Sequence, residues 1–412
     1  MPQGCCAEPN LHVVCGGQRL VTGRLVNQYT KRKRRMVYYL GYYDCYEIAE
    51  EKRTAAPPAI NKMGYIISVL SDVVNEKTMV INPSETTVNK YISGKTRSLN
   101  SGISIKTFGS FQSKCKIIRG VGHLWTKAQV LAFLMSNVKR DDTLIVYHSL
   151  SLMKIVGKVK KCKKCNLIIE VEELYSDVTE DAKLRKKEIK YLQIADKYIV
   201  ITELLNKDIN LENKPKIISH GTYKTVPKCS EKNNDGKIHV VYAGTFDPIK
   251  GGVYVAIETA EYLNEKYVLH ILGKGNEAET DAVFEKIKQT EQKTKCKIVF
   301  DGYKSGKEFD AFIQSCHIGL STQQPGGKYN ASSFPSKILM YMSNGLHVVS
   351  VRIPAVVTSE VGKHVHYYDS QHPLAISEAI KNITFDDGYN SSVHLNDLHD
   401  NFSKQLSKLL KR

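Results

Sequence analysis

The stretch SSFPSKILMYMSNGLHVVS, residues 332–350, combines a helix pattern with a strand pattern. Pro335 suits the first turn of a helix, where its missing N–H group costs no hydrogen bond, and Ser332 or Ser333 can cap that turn. Gly345 ends the apolar helical run, and the β-branched run that follows predicts a buried strand. This succession predicts one helix–strand unit of a parallel α/β sheet.

The same alternation extends outward from this stretch and starts at Met36. Helical patterns such as PPAINKMGYIISVLSDVV and TKAQVLAFLMSNV separate short apolar strands. The strand candidates are MVYYL, KTMVIN, CKIIRG, TLIVYHS, NLIIEVEE, KYIVIT and PKIISHG, then IHVVYAG, YVLHILG, KIVFDGY, HIGLSTQ, LHVVSVR and HVHYYD. Such alternation is typical of parallel sheets covered on both faces. It predicts an α/β protein with two tandem Rossmann-like, doubly wound domains facing across a cleft, where ligands bind at the carboxyl ends of the strands.

The domain boundaries follow from breaks in this pattern, and 412 residues accommodate domains of about 150 residues each. The polar stretch KCSEKNNDGK, residues 228–237, has no apolar period and predicts a linker. Residues 1–35, which end near KRKRR, predict a disordered or non-native extension, with a basic arm for nucleic acid or lipid as the alternative. The predicted parts are the extension 1–35, domains 36–222 and 237–385, the linker 223–236 and a C-terminal helix within 386–412.

The formal net charge of +17 favours anionic partners, namely nucleotide phosphates, nucleic acid or an acidic membrane face. A solvated lysine-rich surface is the alternative. Nucleic acid is disfavoured, because no recognisable module and no aromatic residues interleaved with the basic runs are found. The run KIVGKVKKCKKC, residues 154–165, predicts a helix with Ile155, Val156 and Val159 inward. Its lysines either contact anionic lipid or are simply solvated.

Ten cysteines without disulfide-like spacing predict a reducing compartment. Cys162 and Cys165 form a C-x-x-C pair, but no second pair follows at zinc spacing, so a metal site is not expected. No apolar run approaches the roughly 20 residues that span a bilayer, and no secretory signal is visible. We therefore expect a cytoplasmic protein, with the inner face of the membrane as the alternative location.

Glycines directly after predicted strands are the strongest site signal in the second half. Gly244 follows a strand in YAGTFDPIKGG, where Lys250 precedes a glycine pair, and Gly273 and Gly275 follow the next strand in LGKGN. Glycine lets a backbone approach a ligand, and helix N-termini present free N–H groups to phosphate. The turn from Phe334 to Lys337 predicts a further anion site with lysine charge. Ordinary tight turns and a capped core helix are the alternatives.

Together these motifs resemble a known family. YAGTFDPIKGG, LGKGN, FDGYKSGKEFDAFIQSCHIGLS and FPSKILMYMSNGLHVVS occur in the order found in the donor-binding half of retaining glycosyltransferases with the GT-B fold, of the large bacterial family four. YHSLS, EVEELYSD and ISHGTY resemble acceptor-domain segments of its capsular and exopolysaccharide members. The resemblance covers about residues 36–385. It implies transfer from a nucleotide-sugar to a glycan or lipid-linked acceptor, with retention and without a metal.

The resemblance also implies residue roles on the donor side. Lys250 matches a lysine that contacts the diphosphate, whereas Thr245 replaces the expected arginine. The paired glutamates of the family fall on Ser332 and Met340, so both acids are absent. Either other groups replace their contacts or the chain is a catalytically silent GT-B module. The donor-side candidates are Gly244, Thr245, Lys250, Gly273, Gly275, Tyr303, Ser332, Ser333, Phe334, Pro335, Ser336 and Lys337.

On the acceptor side, His148 ends the strand TLIVYHS and matches a recurrent family histidine that contacts the donor sugar; a satisfied strand-end histidine is the alternative. The acids of NLIIEVEE are expected to alternate, with Glu170 and Glu172 on one face and Glu173 on the other. Glu172 or Glu173 is the predicted base or acceptor ligand, with a solvated strand end as the alternative. Gly41, in YLGYYD, resembles the glycine of the acceptor-facing first loop.

Overall fold

The computed structural model describes residues 35–211, 213–248, 252–323, 333–386 and 388–411. Three of the sequence-based predictions concern residues outside these ranges. The extension 1–35 lies outside the described residues except for Arg35, and so do the site candidates Lys250 and Ser332.

The first domain is an eight-stranded sheet in the order β3-β4-β2-β1-β5-β6-β7-β8, parallel except for the edge pair β3–β4. Its strands are β1 (Met36–Leu40), β2 (Lys77–Asn82), β3 (Thr96–Ser98), β4 (Ile103–Thr107), β5 (Thr143–Tyr147), β6 (Asn166–Val171), β7 (Lys197–Val200) and β8 (Lys216–Ile218). Its helices are α1 (Pro57–Val73), α2 (Lys116–Asn137), α3 (Met153–Lys163), α4 (Tyr175–Thr179), α5 (Ala182–Leu192) and α6 (Glu203–Asp208), with a 3₁₀ helix at Tyr46–Glu51.

The second domain is a six-stranded parallel sheet in the order β11-β10-β9-β12-β13-β14. Its strands are β9 (Ile238–Thr245), β10 (Tyr267–Lys274), β11 (Lys297–Gly302), β12 (Ile318–Ser321), β13 (His347–Val351) and β14 (Val365–Tyr368). The helices are α7 (Gly252–Thr259), α8 (Glu277–Glu291), α9 (Gly306–Ser315), α10 (Ser336–Ser343), α11 (Pro354–Val357), α12 (Pro373–Lys381) and α13 (Val393–Leu410), with 3₁₀ helices at Ala260–Tyr262 and Gly362–His364. In each sheet the first strand, β1 or β9, lies in the interior, and successive strands are added first on one side of it and then on the other. This strand order confirms two doubly wound domains.

The stretch that predicted the fold forms α10 and β13. Gly345 adopts φ +79°, its N–H donates to Met342 O and that of Leu346 donates to Tyr341 O, so the glycine ends the helix as predicted. The helix start differs from the prediction. Pro335 holds the N-cap position and no described side chain caps the helix, so Ser333 does not supply the expected cap, whereas Ser332 lies outside the described residues.

Tyr341 anchors α10 to the sheet. Its fully buried hydroxyl accepts a hydrogen bond from Ala243 N at 2.8 Å and donates one to Leu320 O at 3.3 Å. The ring occupies the space that a side chain at position 319 would need, since a Cβ atom added to Gly319 would overlap it. This packing holds the start of α10 at the carboxyl edge of β9 and β12.

One strand prediction was wrong. CKIIRG lies in the first turns of α2, and the third parallel strand of the first sheet is instead β4, with the sequence ISIKT. The β-branched pair Ile117 and Ile118 indicated a buried strand, but both side chains are exposed on the helix. The strand β4 was not predicted, because its polar residues alternate with the buried Ile103 and Ile105 and it contains no continuous apolar run.

The segment between the domains is fastened to the second one. Val226 N donates to Ser343 O and Asn233 N to Ser315 O, each at 2.9 Å. The helix α13 returns to the first domain, where the Phe402 ring stacks on that of Tyr65 at a centroid distance of 5.5 Å. The chain therefore crosses between the two domains twice.

Candidate functional site

The start of α10 lies at the gap between the domains. The Phe334 ring is buried and stacks on His220, just beyond β8 of the first domain, with centroids 4.8 Å apart. Nearby, a Cβ atom added to Gly221 would lie 2.8 Å from Leu339 Cδ1. The predicted turn from Phe334 to Lys337 is thus an interdomain element of the structure.

Lys337 and Gly244, far apart in sequence, come together at this edge. The Lys337 Nζ atom lies 3.8 Å from the centroid of the Tyr242 ring, a cation–π geometry. A Cβ atom added to Gly244 would overlap Nζ and lie 2.8 Å from Lys337 Cε. Any side chain at position 244 would therefore displace the ammonium group from the end of β9.

The other two loop glycines are required by close packing. Gly273 pairs with Gly244 across the strands β10 and β9, and a Cβ atom on Gly273 would overlap Gly244 O. A Cβ atom on Gly275 would lie 2.7 Å from Glu279 Cβ. These contacts favour the alternative of tight turns for Gly273 and Gly275, whereas Gly244 makes room for a charged group.

The remaining donor-side candidates line the same edge with different exposure. Thr245 and Ser336 are exposed, Ser333 is half-buried and Pro335 is buried. Tyr303 is 60% exposed, and its ring centroid lies 4.6 Å from Lys274 Nζ, which gives this edge a second lysine held over an aromatic ring.

Two helices that begin at this edge differ in how their first N–H groups are satisfied. At α8, Asn276 Oδ1 accepts from Glu279 N at 2.9 Å and Glu279 Oε2 accepts from Asn276 N at 2.8 Å. At α10, Pro335 holds the N-cap position and no side chain of the described residues caps the start. Met340, where the family has an acid, is half-buried on α10.

On the first-domain edge, a buried lysine pairs with a half-buried carboxylate. Lys62 of α1 is buried, and its Nζ donates to Ser219 O at 2.6 Å and to Ser219 Oγ at 3.0 Å. The same ammonium lies 3.2 Å from Glu172 Oε1. Lys62 therefore joins the ends of β6 and β8. Sequence reasoning missed it, although a charged residue between apolar neighbours of a helix is a usable signal.

Glu170 lies deeper than Glu172 on the same face, as the alternation predicted. Burial and the neighbouring Glu172 raise the pKa of Glu170, while Lys62 and the donated hydrogen bond from the Tyr39 hydroxyl act in the opposite sense. Its Oε1 atom is buried and has no hydrogen-bond partner among the described residues. The strand β6 ends at Val171, so Glu172 and Glu173 lie just beyond it, each half-buried.

His148 follows β5, but its ring is turned into the domain. Its Nε2 donates to Glu188 Oε1 at 2.7 Å, and both side chains are buried. Glu188 also accepts from Tyr175 N and Ser176 N at 3.0 Å each. Burial raises the pKa of Glu188, but the bonds from His148 and Ser176 prevail and lower it. Only Nε2 of His148 is bonded, because its buried Nδ1 has no hydrogen-bond partner among the described residues. The predicted sugar contact of His148 stays a prediction.

Gly41 follows β1 in a tight contact with two neighbouring elements. A Cβ atom added there would lie 2.6 Å from Met63 Sδ and 2.9 Å from Tyr147 Cβ. Packing against α1 and β5 thus accounts for the glycine, and its predicted role toward an acceptor stays a prediction.

Within the described ranges, no three His, Cys, Asp or Glu side chains are placed to hold a metal ion. No helix of the described chain is long and apolar enough to cross a membrane. The described cysteines, including Cys162 and Cys165, are free.

Comparison with known proteins gives a family match for the second domain and a structural likeness over both domains. Residues 237–386 match the protein family described as Glycosyl transferases group 1. No protein with a curated description matches the chain.

Several solved structures share the two-domain architecture at low sequence identity. The trehalose-6-phosphate structure from E. coli bound with UDP-2-fluoro glucose has a TM-score of 0.64 and 11% identity, over 92% of this chain and 99% of that one. The trehalose 6-phosphate synthase of Burkholderia multivorans has a TM-score of 0.61 and 9% identity, over 91% and 96%. The Burkholderia xenovorans synthase in complex with glucose-6-phosphate has a TM-score of 0.59 and 10% identity, over 91% and 96%.

The family match covers the domain that carries Gly244 and Lys337, and the structural similarity extends over both domains. The second domain thus matches a glycosyltransferase family, and the whole chain shares the two-domain fold of the solved synthases.

Proposed function

We propose that this chain transfers a sugar from a nucleoside diphosphate sugar to a glycan or lipid-linked acceptor in surface polysaccharide biosynthesis, with retention at the anomeric carbon. It works at the cytoplasmic face of an anionic membrane and needs no metal. Support for the donor class comes from the UDP-sugar bound to the similar E. coli protein. Support for retention comes from the trehalose-6-phosphate synthase studied as an enzyme of glycosyltransfer with retention.

The observation that carries the proposal is the Lys337 ammonium beside Gly244 at the start of α10. In glycosyl transfer, negative charge develops on the departing diphosphate. A preorganised ammonium group and the positive end of a helix stabilise such charge, because they need no reorganisation during the reaction. Lys337 is thus the residue expected to bind the diphosphate and to stabilise its departure.

The acceptor hydroxyl is expected to approach from the first-domain edge. Glu172 is 19% exposed, whereas Glu170 is fully buried, so Glu172 is the better placed of these two acids to reach a bound hydroxyl group. Glu173 remains the second candidate. The chosen carboxylate would accept the hydroxyl proton or orient the hydroxyl group toward the anomeric carbon.

A catalytically silent GT-B module is the second candidate function, and Met340 favours it. The thioether of methionine is a weak acceptor compared with a carboxylate, so Met340 cannot hold ribose hydroxyls as an acid would. Such a module would still bind a nucleotide through Lys337 but would not turn over a donor.

A two-step experiment tests both candidates. Thermal unfolding is first measured with UDP, GDP, ADP, CDP and TDP, and one of them should raise the melting temperature by mass action. Absence of any shift at millimolar concentration would contradict nucleotide binding. Release of nucleoside diphosphate from the corresponding sugar donors is then measured with a glycan acceptor. Binding without release would identify the silent module.

A further inference from the structure

The first turns of α2 expose large apolar side chains to the surface. Ile117 is 79% exposed, Leu124 71% and Trp125 51%, and Ile118 and Val121 are similarly exposed. We call these five residues the α2 apolar face. Single exposed apolar residues are common in proteins, but a contiguous group of this size marks an interaction surface.

Helical geometry makes this group one continuous face. At 100° per residue the five side chains fall within an arc of about 120°. The residues that α2 buries against its own domain are Gly122, Thr126, Val130 and Leu134. They lie on the opposite side of the helix. The helix therefore has one face for its domain and a second apolar face at the surface.

The part of the sequence that contains this face carries formal charges of a single sign. Residues 86–140 contain ten Lys and Arg residues and no Asp or Glu. Lys114 and Lys116 are exposed beside the α2 apolar face. The acid that contacts α2 is Glu85, which accepts from His123 Nδ1 at 2.5 Å. Exposed apolar and aromatic residues bordered by basic ones complement a bilayer that carries anionic lipids.

The location of α2 connects it with the candidate site. The helix follows the loop after the carboxyl end of β4, and its His123 contacts Glu85, shortly after the carboxyl end of β2. These ends belong to the same edge of the first sheet as Glu172. A surface held by α2 thus lies on the acceptor side of the molecule.

We propose that the α2 apolar face inserts into the surface of an anionic lipid bilayer, with the surrounding lysines on the lipid headgroups. The orientation would present a lipid-linked acceptor to the first-domain edge, and only this last consequence rests on the proposed function. A nucleic acid would fit this face poorly, because Ile, Leu and Val side chains offer no hydrogen bonds or stacking surface to bases.

The helix α3, which the lysine run had suggested for lipid contact, lacks such a face. Ile155, Val156 and Val159 are buried, as predicted. The Lys160 ammonium donates to Cys165 O at 2.9 Å and pairs with Asp196. No residue of α3 is among the large exposed apolar side chains of the described chain. Its lysines can add electrostatic attraction but no insertion.

The full chain provides its own probe, since Trp125 is its only tryptophan. Vesicles of phosphatidylcholine with and without phosphatidylglycerol are added to the protein. We expect cosedimentation and a blue shift of the tryptophan emission with the anionic vesicles, weakened by salt. Absence of both signals would overturn the proposal.

Paired variants test the surface itself. I117E/L124E keeps Trp125 and should weaken vesicle binding at least about tenfold, because two apolar side chains no longer enter the bilayer. The control L374E/V393E makes the same charge change at exposed residues of α12 and α13 and should bind nearly as the parent does. Equal losses in both variants would reduce the effect to net charge and overturn the proposal.

Two further outcomes are informative. A blue shift that grows with protein concentration without lipid, together with a dimer in sedimentation, would show that a second copy covers the face, and would overturn the lipid proposal. The variant Lys337→Met should bind vesicles as the parent does. Vesicle binding can therefore succeed where the proposed transfer activity fails, and the reverse.

Discussion

The carboxyl edges of the two sheets handle charge in different ways. On the first, Lys62, His148 and Glu188 are buried and bonded to one another or to the backbone, and the buried Glu170 accepts from the Tyr39 hydroxyl. On the second, Lys337 is held beside Gly244 at the start of a helix whose N-cap position is a proline. A buried charge network fixes the positions of strands, whereas a partly exposed ammonium group beside a glycine can meet a ligand. This difference supports the proposal that the second domain binds the anion and that the first positions the acceptor.

The largest effect is expected from Lys337→Met. The variant keeps the length of the side chain and removes its charge, so donor turnover should fall at least about 100-fold, as when one electrostatic stabiliser of a transition state is lost. Release of nucleoside diphosphate measures the effect. The melting temperature without ligand should stay nearly unchanged, because the side chain is half-buried and not part of the core.

The matched control is Lys286→Met, which removes a positive charge from α8. Lys286 pairs with Glu258 of α7 and lies away from the Gly244 contact. If both variants lose activity equally, the contrast between the two edges is not specific to Lys337.

The next effect concerns the buried lysine of the first domain. Lys62→Met leaves Glu172 and Ser219 O without their partner and should lower the free energy of unfolding by about 2–4 kcal/mol. Urea unfolding measures it. The double variant K62M/E172Q removes both charges and should recover part of this loss. A single variant as stable as the parent would show that the edge does not depend on this pair.

The two domains also differ in how they respond to pH. Across one face of the second sheet, His239 Nδ1 lies 2.9 Å from His270 Nε2 and His347 Nδ1 lies 3.3 Å from His366 Nε2. Burial lowers the pKa of His317 and of His347 to about 4, and neighbouring cationic or titratable groups add to the shift. In the first domain the pKa of Glu170 is shifted upward.

The smallest expected effect is on the pH dependence of stability, because the histidine pKa values are lowered and the pKa of Glu170 is raised. As pH falls from about 6.5 toward 4, the unfolded chain takes up protons that the folded histidines resist, so stability is lost on acidification. Glu170 holds its proton more tightly in the folded chain than in the unfolded chain. Its contribution to the stability of the fold is therefore lost as the pH rises above the ordinary pKa of a glutamate. H317Q/H347Q should therefore reduce the loss from pH 7 to 5 by about 1 kcal/mol, allowing for partial exposure. E170Q should reduce the loss of stability that accompanies a rise in pH.

Melting temperatures from pH 5 to 8 check this prediction, with His123→Gln as the control because His123 is exposed. If the melting temperature of the parent and of both variants changed equally with pH, the proposed difference in pH response between the two domains would be contradicted.

Much of the fold could be predicted from local patterns. The strands β9 to β14 and the helix α10 lie close to their predicted positions, because a sheet covered on both faces requires short apolar runs at every strand. The candidate site was only partly visible. The sequence identified the Phe334–Lys337 turn and the strand-end glycines, but not Lys62 or Glu188, whose partners lie on other elements.

By itself, the sequence determined the two tandem α/β domains, the end of α10 at Gly345 and the motifs of a glycosyltransferase. These depend on residues that are neighbours along the chain, so periodicity and turn chemistry reveal them. Only the tertiary structure decided that CKIIRG is a helix with an apolar outer face, that His148 turns toward Glu188 and that Lys337 meets Gly244. Those contacts join residues far apart in the sequence, and their geometry depends on strand order and packing.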